Sequence, residues 1–283
     1  MYRTVVAENA VLFENIGGFD LEKSCTCGQS FRWVAVDGGF RGVAGGKQVL
    51  AHQLGNTLRL EPCSGEDAPF WAEYFDLARD YAPVEALLLG DARLAQCLPS
   101  AQGIRIFRQD PFETLISFIL SANNNIKRIS GIVERLCAAA GEDMGGYFAF
   151  PAPEAVCALS EQELAAIGAG YRARYVKSSA GLVAQGYDLE PLRDMPLDEA
   201  RKALATFPGV GPKVADCVLL FSLGHMNAFP VDVWVGRALK TFFFEDETLP
   251  DRAAVRALVA RLGPYSGIVQ QYLFHHMRQS MGK

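Results

Sequence analysis

Hydrophobic and polar residues follow one rhythm between Phe31 and Pro62 and a different one beyond Phe70. In the first region short apolar segments are separated by Asp-Gly-Gly, Gly-Gly-Lys and Gly-Asn, which are typical of tight hairpin turns. In the second region apolar residues recur every three or four positions, the spacing of amphipathic helices. Such helices are predicted over residues 111–120, 126–139, 161–167, 198–207 and 214–223. The chain is therefore predicted to begin with an antiparallel meander and to continue as helices.

This order of elements predicts an α+β fold. Residues 1–103 are predicted to form an N-terminal antiparallel β lobe with flanking helices, and residues 104–283 a larger all-helical body. A chain of 283 residues is long enough to bury a substantial core. Within the helical body, the pattern of a helix, a Gly-x-Gly turn and a second helix predicts a helix-hairpin-helix motif over about residues 198–224.

Hydropathy places limits on the location of the protein. Half of the residues are hydrophobic, which argues against a disordered chain. No apolar run approaches the roughly 20 residues needed to span a bilayer. The N-terminal MYRTVVAENAVLF lacks the basic-then-apolar layout of a signal peptide. The sequence thus predicts an intracellular protein that is not associated with membranes, in the cytoplasm or nucleoid if the source is bacterial.

Seven cysteines are scattered along the chain, an odd number without a pairing pattern. Free thiols in a reducing compartment account for such a distribution. Cys25 and Cys27 are separated by one residue, and no second Cys or His pair accompanies them as a zinc site would require. We therefore predict no metal site, no iron–sulfur cluster and no other cofactor.

The formal charge of −5 is unusual for a protein that binds nucleic acid, because such proteins tend to be basic. The charge is unevenly distributed, however. Residues 1–100 contain 8 Lys and Arg against 13 Asp and Glu, whereas residues 101–283 contain 19 of each class. All of the net acidity thus lies in the first lobe, and the helical body is free to present a local basic face.

The stretch FPGVGPKVADC, residues 207–217, joins one predicted helix to the next. Its PGVG part predicts a tight turn, and Pro212 suits the first helical position because its missing N–H would be unpaired there. Backbone N–H groups of Gly209, Val210 and Gly211 beside a helix N-terminus predict an anion nest that binds a phosphate of a nucleic-acid backbone. A Gly-x-Gly turn that only allows two helices to pack is the alternative.

Lys213 falls at the second position of this helix, where the helix dipole disfavours a cation by ~0.3 to 1 kcal/mol. The placement has a chemical reason if Lys213 is a nucleophile. A helix N-terminus and a partly dry pocket penalise the ammonium form and so expose a neutral amine that can attack an electrophilic carbon. A surface lysine that extends into solvent is the structural alternative.

The segment FPVDV, residues 229–233, adds a carboxylate near this lysine. The lengths of the helix and of the extended residues behind it allow the chain to return Asp232 to the end of the helix where Lys213 lies. Pro230 before Asp232 and the apolar run after it predict a helix N-cap, where a carboxylate stays ionised. Capping alone would explain Asp232, but an Asp and a Lys beside a phosphate-binding turn favour chemistry at a sugar carbon.

Several segments together resemble one protein family. LATFPGVGPKVADC with the following FPVDV is similar to the helix-hairpin-helix motif and aspartate of DNA base-excision glycosylases. Four other segments resemble the 8-oxoguanine DNA glycosylase family in particular. They are CGQSFRW, RQDPFETLISFILSANNNIKRISGIVERLC, GAGYRARYV and GPYSGIVQQYLF. The matches run in order from Gly28 to Phe274, over nearly the whole chain.

The resemblance implies a DNA repair enzyme, a bifunctional DNA N-glycosylase and AP lyase that acts on 8-oxoguanine in double-stranded DNA. In that family the damaged base is rotated out of the duplex into a pocket. Lys213 matches the lysine that attacks C1′ of the sugar, displaces the base and forms a Schiff base. Asp232 matches the carboxylate that stabilises the positive charge on the sugar. The Schiff base then permits β-elimination, which nicks the strand.

Four further matches concern the damaged base. Gly28 matches the residue whose backbone carbonyl meets the N7 proton that 8-oxoguanine carries and guanine lacks. Cys217 matches a cysteine that forms a charge pair with the lysine along the base. Gln270 matches a residue that contacts the polar edge of the base, and Phe274 matches the aromatic that stacks on it. Three of these residues also have a purely structural explanation. Gly28 would only form a turn, and Cys217 and Phe274 would only belong to the apolar core.

Four more matches concern the duplex that the flipped base leaves. Asn123, in an unusual Asn-Asn-Asn triplet, matches the residue that fills the vacated space. Arg128 and Arg172 match two arginines that bind the edge of the orphaned cytosine, and Tyr171 matches the wedge that buckles the duplex. The implied partner is duplex DNA with 8-oxoguanine opposite cytosine, bound by a monomer. Trp234 departs from the family pattern, since eukaryotic members carry histidine there.

Three other functions fit part of the sequence. An alkylation-repair glycosylase of the same superfamily relies on the aspartate without a lysine, so Lys213 argues against it. Thymine-glycol and adenine glycosylases carry a cysteine-ligated cluster, for which this chain has no matching cysteine pattern. A non-catalytic helix-hairpin-helix module would bind undamaged duplex tightly and would cleave no glycosidic bond.

Overall fold

A computed structural model describes residues 2–243 and 252–281. One antiparallel sheet of six strands lies near the N-terminus, with the order β1-β2-β6-β5-β4-β3. Its strands are β1 (Arg3–Ala7), β2 (Ala10–Glu14), β3 (Trp33–Val36), β4 (Gly39–Ala44), β5 (Lys47–Leu54) and β6 (Thr57–Glu61). The predicted meander is confirmed by β3 to β6, which pair in chain order.

Two strands ahead of that meander complete the sheet. β1 and β2 form a hairpin in which Ala7 pairs with Ala10, and β2 pairs with β6. The sequence pattern does not predict β1, because its residues are almost all exposed and lack the alternation of a half-buried strand.

Helices make up most of the remaining chain. They are α1 (Leu21–Thr26), α2 (Ala68–Tyr74), α3 (Ala82–Leu89), α4 (Ala92–Ala95), α5 (Leu98–Ala101), α6 (Pro111–Leu120), α7 (Ile126–Ala140), α8 (Pro153–Ala158), α9 (Glu161–Leu164), α10 (Ala173–Ala184), α11 (Leu197–Leu204), α12 (Pro212–Phe221), α13 (Val233–Phe243), α14 (Arg252–Leu262) and α15 (Ser266–Met281). Within residues 2–243 and 252–281, none of them combines the length and apolar character that crossing a bilayer requires.

The predicted helices agree with α6, α7, α11 and α12 to within a few residues. The prediction over residues 161–167 is only partly correct. There the α-helix ends at Leu164 and a π-helical turn, Ala165–Ala169, follows. Gly168 has a φ of 103° inside this turn, which interrupts regular helical geometry. The α+β fold is thus observed, with a sheet lobe followed by a helical body that contains a helix-hairpin-helix motif.

Two apolar cores lie within this fold. One core belongs to the sheet lobe, where Trp33 of β3 packs with Trp71, Phe75 and Phe107. The other core lies among the helices of the body, and helices α3 to α5 share it because they pack against α13 and α15. The boundary between residues 103 and 104 stays a prediction.

The loop after α1 is fixed where these two cores meet. The amide nitrogen of Gln29 donates to the backbone carbonyls of Ser24 at 2.9 Å and Arg105 at 2.8 Å. Its amide oxygen accepts from the backbone N–H of Phe107 at 2.9 Å. The Gln29 side chain is therefore fully satisfied by three backbone groups, and it holds the neighbouring Gly28 in place.

Candidate active site

The turn between α11 and α12 is a tight hairpin that only glycine permits at Gly209. The backbone N–H of Val210 donates to the carbonyl of Phe207 at 3.1 Å. Gly209 has a φ of 83°, and a Cβ added there would lie 2.8 Å from the side chain of Tyr175. Because Val210 uses its N–H inside the turn, that amide is not available to a phosphate in this conformation, unlike the groups around Gly211.

Helix α12 begins at Pro212, as predicted, and Lys213 is its second residue. Gly211 is the N-cap residue, and α12 has no side-chain cap hydrogen bond. The N–H groups of the first turn are therefore presented outward next to Lys213. The ion pair from Arg201 on α11 to Asp216 on α12, at 2.6 Å, ties the two helices of the motif together. Burial raises the pKa of Asp216, and this contact opposes the rise.

Asp232 is the N-cap of α13. Its carboxylate accepts a hydrogen bond of 2.8 Å from the backbone N–H of Val235, three residues along. This arrangement confirms the predicted cap and fixes the direction of the carboxylate. The extended segment through Pro230 brings Asp232 back to the start of α12, as the chain lengths predict, so that Asp232 and Lys213 line one cavity.

That cavity, with about 310 Å³ of space that includes its opening to solvent, is lined by residues from distant parts of the chain. Its lining residues are Gly28, Phe118, Lys213, Cys217, Phe221, Pro230, Asp232, Gln270, Gln271 and Phe274. All of the residues that the sequence assigned to the reaction and to the base pocket are among them.

The amine of Lys213 is held from two sides. Its Nζ donates to the hydroxyl oxygen of Ser121 at 2.9 Å and lies 4.9 Å from the centroid of the Phe118 ring. Both partners belong to the end of α6, and Lys213 is therefore not a lysine extended into solvent. The sequence did not predict a role for either residue, although both lie a few positions before the asparagine triplet, in SFILSANNN.

Cys217 lies one turn after Lys213 on α12 and is 2% exposed. Burial raises the pKa of its thiol to about 12, and the favourable interaction with Lys213 only partly opposes this. The thiol is thus protonated at neutral pH, which does not favour the charge pair implied by the family resemblance.

Gly28 forms a wall of the cavity where a larger residue does not fit. Its φ is 82°, in the left-handed region that favours glycine. A Cβ added there would lie 2.7 Å from Cδ1 of Ile126 and 3.4 Å from Cε1 of Phe274. The close approach of two side chains shows that Gly28 is more than a turn residue.

Gln270 and Phe274 face the cavity from successive turns of α15. Gln270 is 3% exposed, and its Oε1 has no hydrogen-bond partner among the described residues. Phe274 is only partly buried, and the guanidinium of Arg278 lies 5.5 Å from its ring centroid. The neighbouring Gln271 donates to the carbonyl of Cys27 at 2.9 Å and so holds α15 against the loop of Gly28. A buried acceptor without a partner is a feature that a ligand can satisfy.

The three asparagines of the triplet differ in their hydrogen bonds and in their backbone conformation. The side chain of Asn124 donates to the carbonyl of Leu120 at the end of α6, at 3.1 Å. Asn125 caps α7 by accepting from the backbone N–H of Arg128 at 3.0 Å. Asn123 is exposed and has a φ of 49°, an uncommon conformation for a residue other than glycine. Local capping therefore explains two members of the triplet and leaves Asn123 for another role.

Tyr171 and Arg172 meet the same loop from the turn before α10. Tyr171 is 56% exposed, whereas Arg172 is 5% exposed. The guanidinium of Arg172 donates to the carbonyl of Ala122 and, at 3.0 Å, to that of Asn123. It also lies 4.4 Å from the Tyr171 ring centroid. Of the two arginines predicted to bind an orphaned cytosine, Arg172 thus holds the loop backbone here, whereas Arg128 is exposed.

The side chain of Trp234, where the chain departs from the family pattern, is partly buried in the first turn of α13. The guanidinium of Arg237 lies 5.0 Å from its ring centroid. Trp234 does not line the cavity. Within the described part of the chain, no group of three or more His, Cys, Asp or Glu side chains could hold a metal ion, and all seven cysteines are free thiols.

Comparison with known proteins agrees with this geometry. Residues 11–115 match the model of the 8-oxoguanine DNA glycosylase N-terminal domain, and residues 116–264 match the HhH-GPD superfamily of base excision DNA repair proteins. A relative from Methanothermobacter thermautotrophicus, named "Probable N-glycosylase/DNA lyase", is 33% identical over 94% of this chain and 95% of its own.

Two solved structures are similar over their whole length. A DNA complex of a protein called MBOgg1 has a TM-score of 0.94 at 37% identity and covers 100% of each chain. The Clostridium acetobutylicum 8-oxoguanine glycosylase/lyase, bound to double-stranded DNA with cytosine opposite 8-oxoguanine, has a TM-score of 0.93 at 34% identity, covering 99% of this chain and 98% of its own. The chain belongs to the 8-oxoguanine DNA glycosylase/lyase family of the HhH-GPD superfamily.

Proposed function

We propose that this protein excises 8-oxoguanine from duplex DNA through a Schiff base on Lys213 and then nicks the strand by β-elimination. The observation that carries this proposal is the placement of Lys213 and Asp232 on one cavity, beside a helix N-terminus that is open to a phosphate. A base that is rotated out of the duplex enters the cavity, and its sugar then lies between the amine and the carboxylate.

The chemistry proceeds in three steps. The neutral amine of Lys213 forms a bond to C1′ while the bond from C1′ to N9 breaks, and the base leaves with that electron pair and a proton from the amine. Breaking the C1′–O4′ bond, with the remaining amine proton passing to O4′, gives the Schiff base. Loss of a C2′ proton to water then expels the 3′ phosphate, which nicks the strand.

Asp232 supplies the fixed anion that this reaction needs. Positive charge develops on the sugar as the glycosidic bond breaks, and a preorganised carboxylate stabilises it without reorganisation. The hydrogen bond from Val235 supports this role, because it holds the carboxylate in one orientation.

The other residues that line the cavity recognise the base. The backbone carbonyl of Gly28 accepts a hydrogen bond from N7–H of 8-oxoguanine, whereas guanine would present a lone pair to the same oxygen. The unpartnered Oε1 of Gln270 accepts from an N–H on the edge of the base, and Phe274 stacks on its face. Cys217 contributes packing as a neutral thiol.

DNA is held outside the cavity. The amides around Gly209 and Gly211, with the open N-terminus of α12, bind a phosphate, and Val210 closes the turn that presents them. Asn123 fills the space that the base leaves, and Tyr171 wedges the duplex. Arg128 then binds the cytosine that loses its partner from an exposed position, and Arg172 contributes indirectly, because it holds the loop carbonyls of Ala122 and Asn123.

We further propose that the protein acts as a monomer on DNA inside the cell, in the cytoplasm or nucleoid if the source is bacterial. The described fold presents the catalytic cavity on a single chain, so that one copy contains all the groups of the reaction. Sedimentation of the protein alone and bound to a lesion duplex tests this proposal. We expect a monomer in solution and one protein bound to each lesion.

The decisive experiment is borohydride trapping on a duplex with one 8-oxoguanine opposite cytosine. Wild type and Lys213→Gln are compared on damaged and undamaged DNA, together with binding of each to the damaged duplex. We expect a covalent adduct only with wild type and only on damaged DNA, whereas Lys213→Gln binds the lesion but neither forms an adduct nor nicks the strand.

Three other results would contradict the proposal. Release of free base without any adduct would indicate a glycosylase that uses water as the nucleophile. Tight binding of undamaged duplex without release of base would indicate a module that only binds DNA. Equal nicking by wild type and Lys213→Gln would exclude Lys213 as the nucleophile.

A further inference from the structure

Ser121 ends α6 with a hydroxyl group whose two hydrogen bonds are fixed in direction. The hydroxyl lies 2.7 Å from the carbonyl oxygen of Phe118 and 2.9 Å from Nζ of Lys213. A carbonyl can only accept, so the single hydroxyl proton of Ser121 is donated to Phe118. The hydroxyl oxygen is then an acceptor toward Lys213, whether the amine is charged or neutral. Ser121 is 9% exposed, so little water competes for this contact.

The ring of Phe118 restricts the same amine from a second direction. Its centroid lies 4.9 Å from Nζ of Lys213, within the range of a cation–π contact. The ring is itself fixed, because it stacks on Phe221 at 5.5 Å and meets Phe31 edge to face at 5.3 Å. The end of α6 therefore forms a rigid corner that surrounds the nucleophile on two sides.

A tetrahedral nitrogen has four directions, and one of them is the bond to Cε. A second is taken by the N–H that points to Ser121, while the Phe118 ring lies on another side and Cys217 also interacts with the amine. The amine lines the cavity together with Phe118. Because Ser121 holds one N–H, the lone pair of the neutral amine is confined to the remaining directions, on the side of the cavity where C1′ must lie.

We propose that Ser121 is a positioning residue that directs the lone pair of Lys213 toward C1′ of the flipped nucleotide. This inference rests on the proposed function and adds a residue that acts through the nucleophile without touching the DNA. Displacement at C1′ of an intact nucleoside needs the amine to approach along one line, and misplacement by about 1 Å can cost ~100-fold in rate. An abasic aldehyde accepts an amine from either face and is less demanding of orientation.

The chain offers a matched control for the loss of this hydroxyl. Ser222 ends α12 as Ser121 ends α6, is 1% exposed, and donates its hydroxyl to the carbonyl of Val218 at 2.6 Å. Ser121→Ala and Ser222→Ala each remove one hydroxyl and its hydrogen bond to a helix-end carbonyl. Only Ser121→Ala also removes the acceptor of Lys213.

The test measures single-turnover borohydride trapping on two duplexes, one with 8-oxoguanine and one with a preformed abasic site, alongside binding affinity and melting temperature. For Ser121→Ala we expect trapping on the lesion duplex to fall about tenfold and on the abasic duplex less than about threefold, with lesion affinity unchanged. For Ser222→Ala any loss should be equal on the two duplexes.

Equal losses of Ser121→Ala on both duplexes, or a loss no larger than that of Ser222→Ala, would overturn the positioning role and leave Ser121 a structural residue. These results are distinguishable from failure of the proposed function. If wild type traps no lesion, the Schiff-base chemistry itself is wrong and the inference is overturned with it. If wild type traps the lesion and Ser121→Ala matches it, only the inference about Ser121 is wrong.

Discussion

The carboxylate of Asp232 accepts a 2.8 Å hydrogen bond from the backbone N–H of Val235 while it lines the cavity of Lys213. One side chain thus caps α13 and places a carboxylate on the wall of the cavity. Asn caps a helix about as well as Asp but carries no charge, so Asp232→Asn separates the two tasks.

We expect Asp232→Asn to fold with wild-type stability and to excise the lesion ~10²- to 10³-fold more slowly, because the developing charge on the sugar loses its counter-ion. Single-turnover excision and thermal unfolding measure the two effects. Asp232→Ala is the control: it should lose ~1 kcal/mol of stability as well, because the cap is removed. Wild-type excision by Asp232→Asn would show that the charge is not needed.

The buried Oε1 of Gln270, which has no hydrogen-bond partner among the described residues, leads to a prediction about both stability and activity. Gln270→Met keeps the shape of the side chain and removes the unsatisfied buried acceptor, whose burial costs ~1 to 3 kcal/mol. We therefore expect denaturant unfolding to show equal or greater stability and excision of 8-oxoguanine to fall. In Gln271→Met, by contrast, the carbonyl of Cys27 loses its donor, and the protein should be destabilised. A destabilised Gln270→Met would contradict the assignment.

Gly28 is expected to tolerate no side chain. Gly28→Ala places Cβ 2.7 Å from Cδ1 of Ile126 at a φ of 82°, so the backbone beside the base pocket is strained and the end of the Ile126 side chain must move. We expect ~1 to 3 kcal/mol of destabilisation and a loss of discrimination between 8-oxoguanine and guanine. Gly46→Ala is the control, because Gly46 has a φ of 73° but no described atom lies within 4 Å of an added Cβ. It should cost stability alone, and an equal effect on excision would exclude a role of Gly28 in recognition.

Arg128 and the neighbouring Lys127 are both exposed cations at the start of α7. Arg128→Gln should reduce the preference for cytosine opposite the lesion by ~1 to 3 kcal/mol, the worth of a good bidentate base contact. Lys127→Gln removes the same charge and should weaken binding equally for every opposite base. Excision rates on the four possible duplexes provide the measurement. Similar rates of wild type on all four duplexes would contradict the proposed preference.

Glu113, in the first turn of α6, predicts a dependence of stability on pH. Burial raises its pKa from 4.5 to about 8; Arg32 opposes this rise, whereas Asp110 and Glu134 add to it. The folded state therefore keeps a proton that the unfolded state releases between these values. Its contribution to stability is fully present below about pH 4.5 and is lost as the pH rises to about 8.

Glu113→Gln should remove this slope, so that its melting temperature approaches or exceeds that of wild type as the pH rises toward about 8. His275 does not affect the slope of stability with pH near pH 8. Burial lowers the pKa of His275 from 6.5 to about 4, so its own contribution to the slope falls between these two values. The same slope in wild type and Glu113→Gln would show that another group is responsible.

Local rules along the chain were sufficient for several parts of the site. Pro212 at the first helical position, Asp232 at an N-cap and the tight turn at Gly209 depend on interactions over three or four residues. The meander and the helices of the body follow from the period of their apolar residues for the same reason. The exposed β1 escapes prediction because it has no such period.

The sequence by itself therefore determined the fold class, and it predicted Lys213 as the nucleophile and Asp232 as its anion. Tertiary structure alone decided that Ser121 touches Lys213 and that Gln270 keeps a buried acceptor without a partner. It also decided that burial raises the pKa of the Cys217 thiol and that Arg172 is buried. The physical reason is that burial and contact between residues far apart in the chain depend on how whole helices pack, which no local pattern of residues specifies.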